Sequence, residues 1–469
     1  MTDRPGARPR HLRLMTLIAI AVALLVLVLP TRKLTAPPPD GVEMQDLTWV
    51  ETRAARTAGV ATVIVPTGAT GTQGPDMTLG ARSGQMRATA QRYARERGGT
   101  LVAPVFPYGA APRDDPAGKS GGDPTGALID IALPAPVFAG VLEGAARSLK
   151  AAGFTSIIFL AADEVSRQTQ IDVARRLSRR WAGDGVQVSA ETAAPRTRSP
   201  VEARADTAPA RVAGAPDGSA PLPGDTVELA SMTPLALHAA RAAGFFTVIV
   251  PTGGLEQNGP HMILGKHDYL VAHAARRIAR AVGRTLVAPV IPFVPEGDHD
   301  PPTGHLRFPG TIGVPEGVLA GVLEGVARRL KTAGFTTIVF IGDHGQSQPA
   351  QAEVAARLSR EWTSAGVHVV QIASYYTAPE QAETLRREGF STAEIGQHAS
   401  VVDTSEMLAV HPSGVDLTRY RPPSFWLEDT GVSGDPTRSR AALGERLIRM
   451  RIDTAVREIT ASRTGDGAD

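Results

Sequence analysis

The chain has 469 residues, enough for more than one domain, and 42% of them are hydrophobic, so most of it can fold around a core. A net charge of +2, with no basic block interleaved with aromatics, argues against a nucleic-acid partner. Cysteine is absent, which excludes disulfides, thiol nucleophiles and cysteine-held metal.

In chain order, Arg4, Arg8, Arg10 and Arg13 precede an apolar run at 14–29. A positive flank before an uncharged stretch reads as a signal peptide or signal anchor over residues 1–34. The run is short for a span and long for a signal core, and no small-x-small cleavage site follows it. The expectation is an inner-membrane anchor with a periplasmic, extracytoplasmic body, or a secreted protein if the segment is cleaved. A Pro-rich spacer at 35–41 follows.

An internal repeat then organises the chain. TVIVPTG at Thr62 recurs at Thr247, TLVAPV at Thr100 recurs at Thr285, and GVLEG at Gly140 recurs at Gly321. The copies run over residues 42–192 and 227–460, the second extending beyond the repeat. Residues 193–225 contain six prolines and no aromatic residue, the composition of a disordered Pro/Ala-rich linker.

Each copy alternates short apolar β-rich runs with longer helical patterns. In the second copy the runs are TVIVPTG, RTLVAPVIPF, TTIVFIGDHG and HVVQIASYY, with helices expected over 269–282, 315–333 and 351–366. Continuous apolar strands between helices predict a mostly parallel sheet covered on both faces. The expected fold is α/β, a three-layer α/β/α sandwich present as two tandem copies, the first degenerate.

The stretch PTGGLEQNGPHMILGKHD (251–268) follows a strand and opens a helix, the place where open α/β sheets bind ligands. It gathers Glu256, Asn258, His261, His267 and Asp268, residue types that suit Zn or Mn. The first copy has Gly71, Gln73, Asp76 and Arg82 where the second has Glu256, Asn258, His261 and His267. A shared structural role would keep similar types in both, so the difference places the chemistry in the second copy. Further clusters are His305 in GHLRFPGT (304–311), His344 and Gln346 in GDHGQ (342–346), and His398 and Asp403 in HASVVDTS (398–405). Asp403 also suits the N-cap of a helix beginning at TSEML.

In this order, EQNGPH, HLRFPGT, DHGQ, HASVVDTS and the later GVSGDP (431–436) resemble the creatininase (creatinine amidohydrolase) family. The resemblance covers about 227–460, and the first copy resembles only the front of that domain. It implies a layered α/β/α sandwich, homo-oligomerisation and one or two divalent ions, Zn or Mn. It also implies hydrolysis of a cyclic or linear amide C–N bond in a small-molecule substrate.

Carried over residue by residue, the metal ligands are Glu256, His344 and either His267, by count, or Asp268, by alignment with the following helix. His398 becomes the proton shuttle and Asp403 its orienting group or a base. His305 and His261 are further site candidates. Neutral Asn258 and Gln346 stand where the family has stronger ligands, which weakens a second ion site and argues against creatinine itself as substrate. The competing expectation is a non-catalytic binding or scaffold protein on the same fold.

Overall fold

A computed structural model describes residues 41–112, 129–192, 226–421 and 430–464. All of these belong to one compact unit, Pro37–Asp469; a separate unit, Met1–Ala36, lies outside the described residues.

The β-branched runs become strands and the spaced Ala/Leu stripes become helices. The first copy runs α1 (Trp49–Thr57), β1 (Thr62–Thr67), α2 (Ala81–Arg97), β2 (Thr100–Val102), β3 (Gly109–Ala110), β4 (Ala132–Leu133), α3 (Ala135–Ala151), β5 (Ser156–Ala161), α4 (Glu164–Arg180) and β6 (Gln187–Thr192). The second repeats it as α5 (Pro234–Ala242), β7 (Thr247–Thr252), α6 (Lys266–Val282), β8 (Thr285–Val287), α7 (Glu316–Thr332), β9 (Thr337–Gly342), α8 (Gln348–Trp362) and β10 (His368–Gln371). It then adds α9 (Ala373–Thr377), α10 (Pro379–Arg387), α11 (Thr392–Ile395), α12 (Val401–Val410) and α13 (Ala441–Thr464).

Each copy builds a four-stranded parallel sheet of the same order, β2-β1-β5-β6 and β8-β7-β9-β10. The register repeats too: Val63 pairs with Leu101 and Ile157, and Val248 pairs with Leu286 and Ile338. Every residue of β7 is buried, as a parallel strand covered on both faces requires. Leu270, Ala274 and Ile278 of α6, with Ile448, Ile452 and Ile459 of α13, join Ile249, Val287 and Val339 in one apolar core. The expected tandem α/β/α sandwich is what the chain forms.

The copies pack reciprocally. Gly140 of α3 faces Val318 of α7, and Gly321 of α7 faces Val137 of α3; a Cβ at either glycine would lie 2.9 Å from the valine methyl. Leu264 N and Gly265 N donate to Leu47 O and Gln45 O (2.8 and 2.9 Å), while Leu79 N and Gly80 N donate to Met232 O and Ala230 O (both 2.8 Å). The same patch on each copy meets its counterpart, the arrangement of a two-fold dimer built within one chain.

The expected signal, membrane anchor and extracytoplasmic or secreted location need correction. No helix among the described residues is long and apolar enough to cross a membrane. Even α13, 24 residues long, carries Arg446, Arg449, Arg451, Asp453, Arg457 and Glu458 along its middle. The run at 14–29 and the linker at 193–225 lie outside the described residues.

Candidate metal centre

The second copy's site residues converge at the carboxyl ends of β7, β8 and β9. Glu256 follows β7, Lys266 and His267 open α6, Glu296 and His305 lie between β8 and α7, and Asp343 and His344 follow β9. His398 precedes α12, and Asp403 sits in its first turn. Glu256 is the hub and is fully buried. Its Oε1 lies 2.6 Å from His267 Nε2 and 3.6 Å from His398 Nδ1. Its Oε2 lies 2.8 Å from His344 Nε2 and 3.2 Å from His305 Nε2.

A buried network under the hub sets these rings. His267 Nδ1 donates to Asp343 Oδ2 at 2.8 Å, which aims Nε2 at Glu256. Asp343 is in turn held by Tyr375 Oη (2.9 Å) and by Arg451, whose other arm reaches Glu406 Oε2 at 2.8 Å. Burial opposes the charge on Asp343, but Arg451 and His267 hold its carboxyl down at about 2. On the other side, His398 Nε2 donates to the Gln257 carbonyl at 2.9 Å, and the Gln257 amide braces His305 Nδ1 at 2.9 Å. GVSGDP closes this corner. Ser433 exchanges backbone hydrogen bonds with His398, and Gly431, at φ 74°, leaves room where a Cβ would fall 1.6 Å from Gln257 Oε1.

The electrostatics are divided. Burial pushes His398 down to about 3, so it is a neutral base whose free Nδ1 faces the hub. Burial also lowers His305. Burial alone would discharge His344, but the adjoining Glu296 and Glu256 outweigh it and hold it up at about 10. Burial works against Glu256 as well, yet the facing imidazoles keep it well below the carboxylate range.

Not every expected residue joins the cluster. Asp268 turns away: its Oδ1 accepts from Gly254 N at 3.1 Å, and it lines a separate cavity with Ser83 and Arg87. Asn258 spends its amide on the carbonyls of Glu256 and Ile263, both at 2.9 Å, and braces the loop. His261 pairs through Nε2 with Thr404 Oγ1 at 3.0 Å, and burial lowers it to about 4. Gln346 is exposed and offers its backbone N–H to His344 Nδ1 at 3.3 Å. Asp403 Oδ2 accepts from Ala399 N at 2.6 Å, fixing the turn beside His398 without bonding its ring.

Glu296 and Lys266 escaped the sequence reasoning. The offset that pairs Thr62 with Thr247 sets Glu296 against Ala111 and Lys266 against Ala81, the same contrast that singled out Glu256.

Glu296 tests the site for a metal. Its carboxyl is fully buried and neither oxygen has a hydrogen bond. His344 Nε2 is 3.2 Å from Oε2, but that nitrogen is aimed at Glu256. Burial lifts Glu296 to about 8. A buried acid with unused lone pairs asks for a cation. Donor atoms of Glu256, Glu296, His305 and His344 all lie within 4.8 Å of one another. Two carboxylates and two imidazoles suit Zn or Mn, so the residues fit a divalent ion. Glu256, His305 and His344 border a cavity of about 570 Å³, also lined by Lys266, Tyr376, Thr377, Gln397, His398 and Asp403.

A family model described as Creatininase: Creatinine amidohydrolase matches residues 45–215 and 230–459, spanning both copies. The chain is 30% identical over 207 residues to a creatinine amidohydrolase of Pseudomonas putida, covering 43% of this chain and 78% of that protein. It is 26% identical over 239 residues to a mycofactocin precursor peptide peptidase of Mycobacterium tuberculosis (strain CDC 1551 / Oshkosh), covering 45% and 84%. A crystal structure of creatinine amidohydrolase (creatininase) aligns at 25% identity with a TM-score of 0.43, covering 51% of this chain and 98% of that chain.

Proposed function

Since the chain belongs to the creatininase family, we propose that its second copy hydrolyses a small amide other than creatinine, cyclic or linear, at the ends of β7, β8 and β9. The chain is a metal-dependent hydrolase of amide C–N bonds. The buried Glu256–Glu296–His305–His344 cluster beside the cavity is the observation that carries this reading.

In this reading Glu256, Glu296, His305 and His344 hold the ion. His267, fixed by Asp343, braces Glu256 from its other oxygen. The ion, when bound, lowers the pKa of water and polarises the amide carbonyl. His398 accepts the proton that the attacking water loses, because its Nε2–H is committed to the Gln257 carbonyl and Nδ1 is free. It returns that proton to the leaving nitrogen. The water oxygen joins the carbonyl carbon, the C–N bond breaks, and an acid and an amine leave. Asp403 holds the turn that presents His398.

The relatives' names span creatinine and a precursor peptide, so the test panel holds creatinine, other lactams and short peptides. The metal-loaded full chain is expected to cleave a member other than creatinine, to stop after chelation and to recover with Zn or Mn. A chain that binds the ion and cleaves no amide would favour the scaffold reading instead.

A further inference from the structure

Lys266 is the first residue of α6, a poor position for a cation because the helix N-terminus is itself positive. It is 1% exposed, a costly place for an ammonium. The first copy starts the equivalent helix with Ala81, so the fold does not require lysine there. The cost is offset locally by two carboxylates. Lys266 Nζ stands 3.5 Å from Glu256 Oε1 and 3.7 Å from Asp403 Oδ1. Both distances are long for hydrogen bonds and leave the ammonium's protons for another acceptor. The residue lines the cavity with His398, so that acceptor can be a substrate atom.

The same placement bears on the number of ions. Glu256 turns Oε2 to His344 and His305, and Oε1 to His267 and, farther off, to Lys266. A second divalent ion drawn between Glu256 and Asp403 would have to share the space that Nζ fills, and a fixed ammonium at that range repels it. Asn258 braces its own loop, and Gln346 is an exposed neutral amide at the cavity's edge, a weak ligand for a second ion.

We propose that Lys266 is a catalytic residue that occupies the position of a second ion, so the chain works with one divalent ion and one fixed ammonium. Its Nζ–H donates to the amide oxygen as negative charge develops there, and no proton is transferred. The turnover part rests on the amidohydrolase reading; the ion count does not.

The experiment loads the full chain and its variants with Mn²⁺, removes the excess, counts ions per chain and records the spin-resonance spectrum. The unmodified chain is expected to hold about one ion with an isolated six-line signal. Lys266→Glu adds a carboxylate between Glu256 and Asp403 and is expected to admit a second ion, giving a spin-coupled signal. Lys266→Met should keep one ion and lose about 10²–10³ in kcat on whichever amide the unmodified chain cleaves, with KM little changed. Lys266→Arg should recover part of that loss. Two coupled ions in the unmodified chain would overturn the proposal, as would full turnover in Lys266→Met. If Lys266→Met fails to fold, the ion count of the unmodified chain still decides it. If no amide is cleaved by any form, the amidohydrolase reading falls and the ion count alone decides the place of Lys266.

Discussion

Replacing Glu296 by Gln separates a metal ligand from a structural acid. Glu296 is fully buried, and its oxygens make no hydrogen bond that the substitution could remove. Gln keeps the volume and removes the cost of a buried acid, so the metal-free variant should melt no lower than the metal-free parent. A four-ligand protein zinc site is worth about 10–16 kcal/mol, about 3 kcal/mol per ligand, so the variant should bind Zn or Mn roughly 10²-fold more weakly. With the ion at about 100 times the parent's Kd, binding stabilises the parent by about 2.7 kcal/mol and the variant by about 0.4 kcal/mol. For a domain of this size the difference is a few degrees in Tm. Paired thermal melts with and without Zn, with ion content measured on the same samples, read both quantities. If Glu296 instead served a buried ion pair with His344, 3.2 Å away, breaking it would cost about 3–5 kcal/mol without any metal. A metal-free Tm that drops by that amount, with the metal-induced rise intact, would refute the ligand assignment.

His398→Ala should keep its ion and lose about 10²–10⁴ in kcat, measured on the amide the unmodified chain cleaves. His344→Ala should lose the ion and all turnover. Asp163→Ala, at the equivalent place in the first copy, should leave kcat unchanged and cost about 1 kcal/mol in a denaturant melt, because Asp163 caps α4 through Ser166 N at 2.8 Å and Ser166 Oγ at 3.0 Å. Ion uptake should tighten as pH rises from 6 to 8: Glu296 and His344 are raised to about 8 and about 10, so in the metal-free chain each holds a proton that the ion must displace. Calorimetry at pH 7 in buffers of different ionisation enthalpy should show about two protons released per ion. Trp49→Ala in the first copy should cost about 3–5 kcal/mol and lower turnover as well, because Trp49 packs on Phe308 (ring centroids 5.1 Å) and bonds Thr430 O at 3.2 Å.

The central strands were legible because β1, β5, β7 and β9 each carry a continuous apolar run, whereas polar β6 and the two-residue β3 and β4 give no such signal; the helices were legible because their stripes persist over several turns. The expected helix at 269–282 begins three residues earlier, at Lys266, since polar residues of a first turn that faces a cavity break the apolar pattern. Glu256, His344 and His398 were legible from motif and from contrast with the first copy. Glu296 was not, because it sits in a Pro- and Gly-rich loop where a lone acid resembles any solvated turn. Asp268 and His267 are adjacent on a helix, so only backbone direction decides which one faces Glu256 and which one faces Gly254. Arg451 lies far along the chain from Asp343, and spacing says nothing about a pair brought together by α13 crossing over the sheet.

The duplication explains why a copy without ligands remains tied to the site. Its segment at Gln45 and Leu47 receives the N–H groups of Gly265 and Leu264, the residues directly before Lys266 and His267. Ser148 Oγ takes Gly313 N at 3.0 Å, just beyond the loop that carries Glu296 and His305. Glu51 pairs with Arg419 at 2.6 Å. The backbone turns that aim the cluster are therefore closed by hydrogen bonds from the first copy. The polar positions of that copy differ: its counterparts of Glu256 and His267 are Gly71 and Arg82, residue types that do not ligate a cation. The first copy thus supports the site through its N-terminal segment and α3. Those are the features the two copies share, and the loop residues are where they differ.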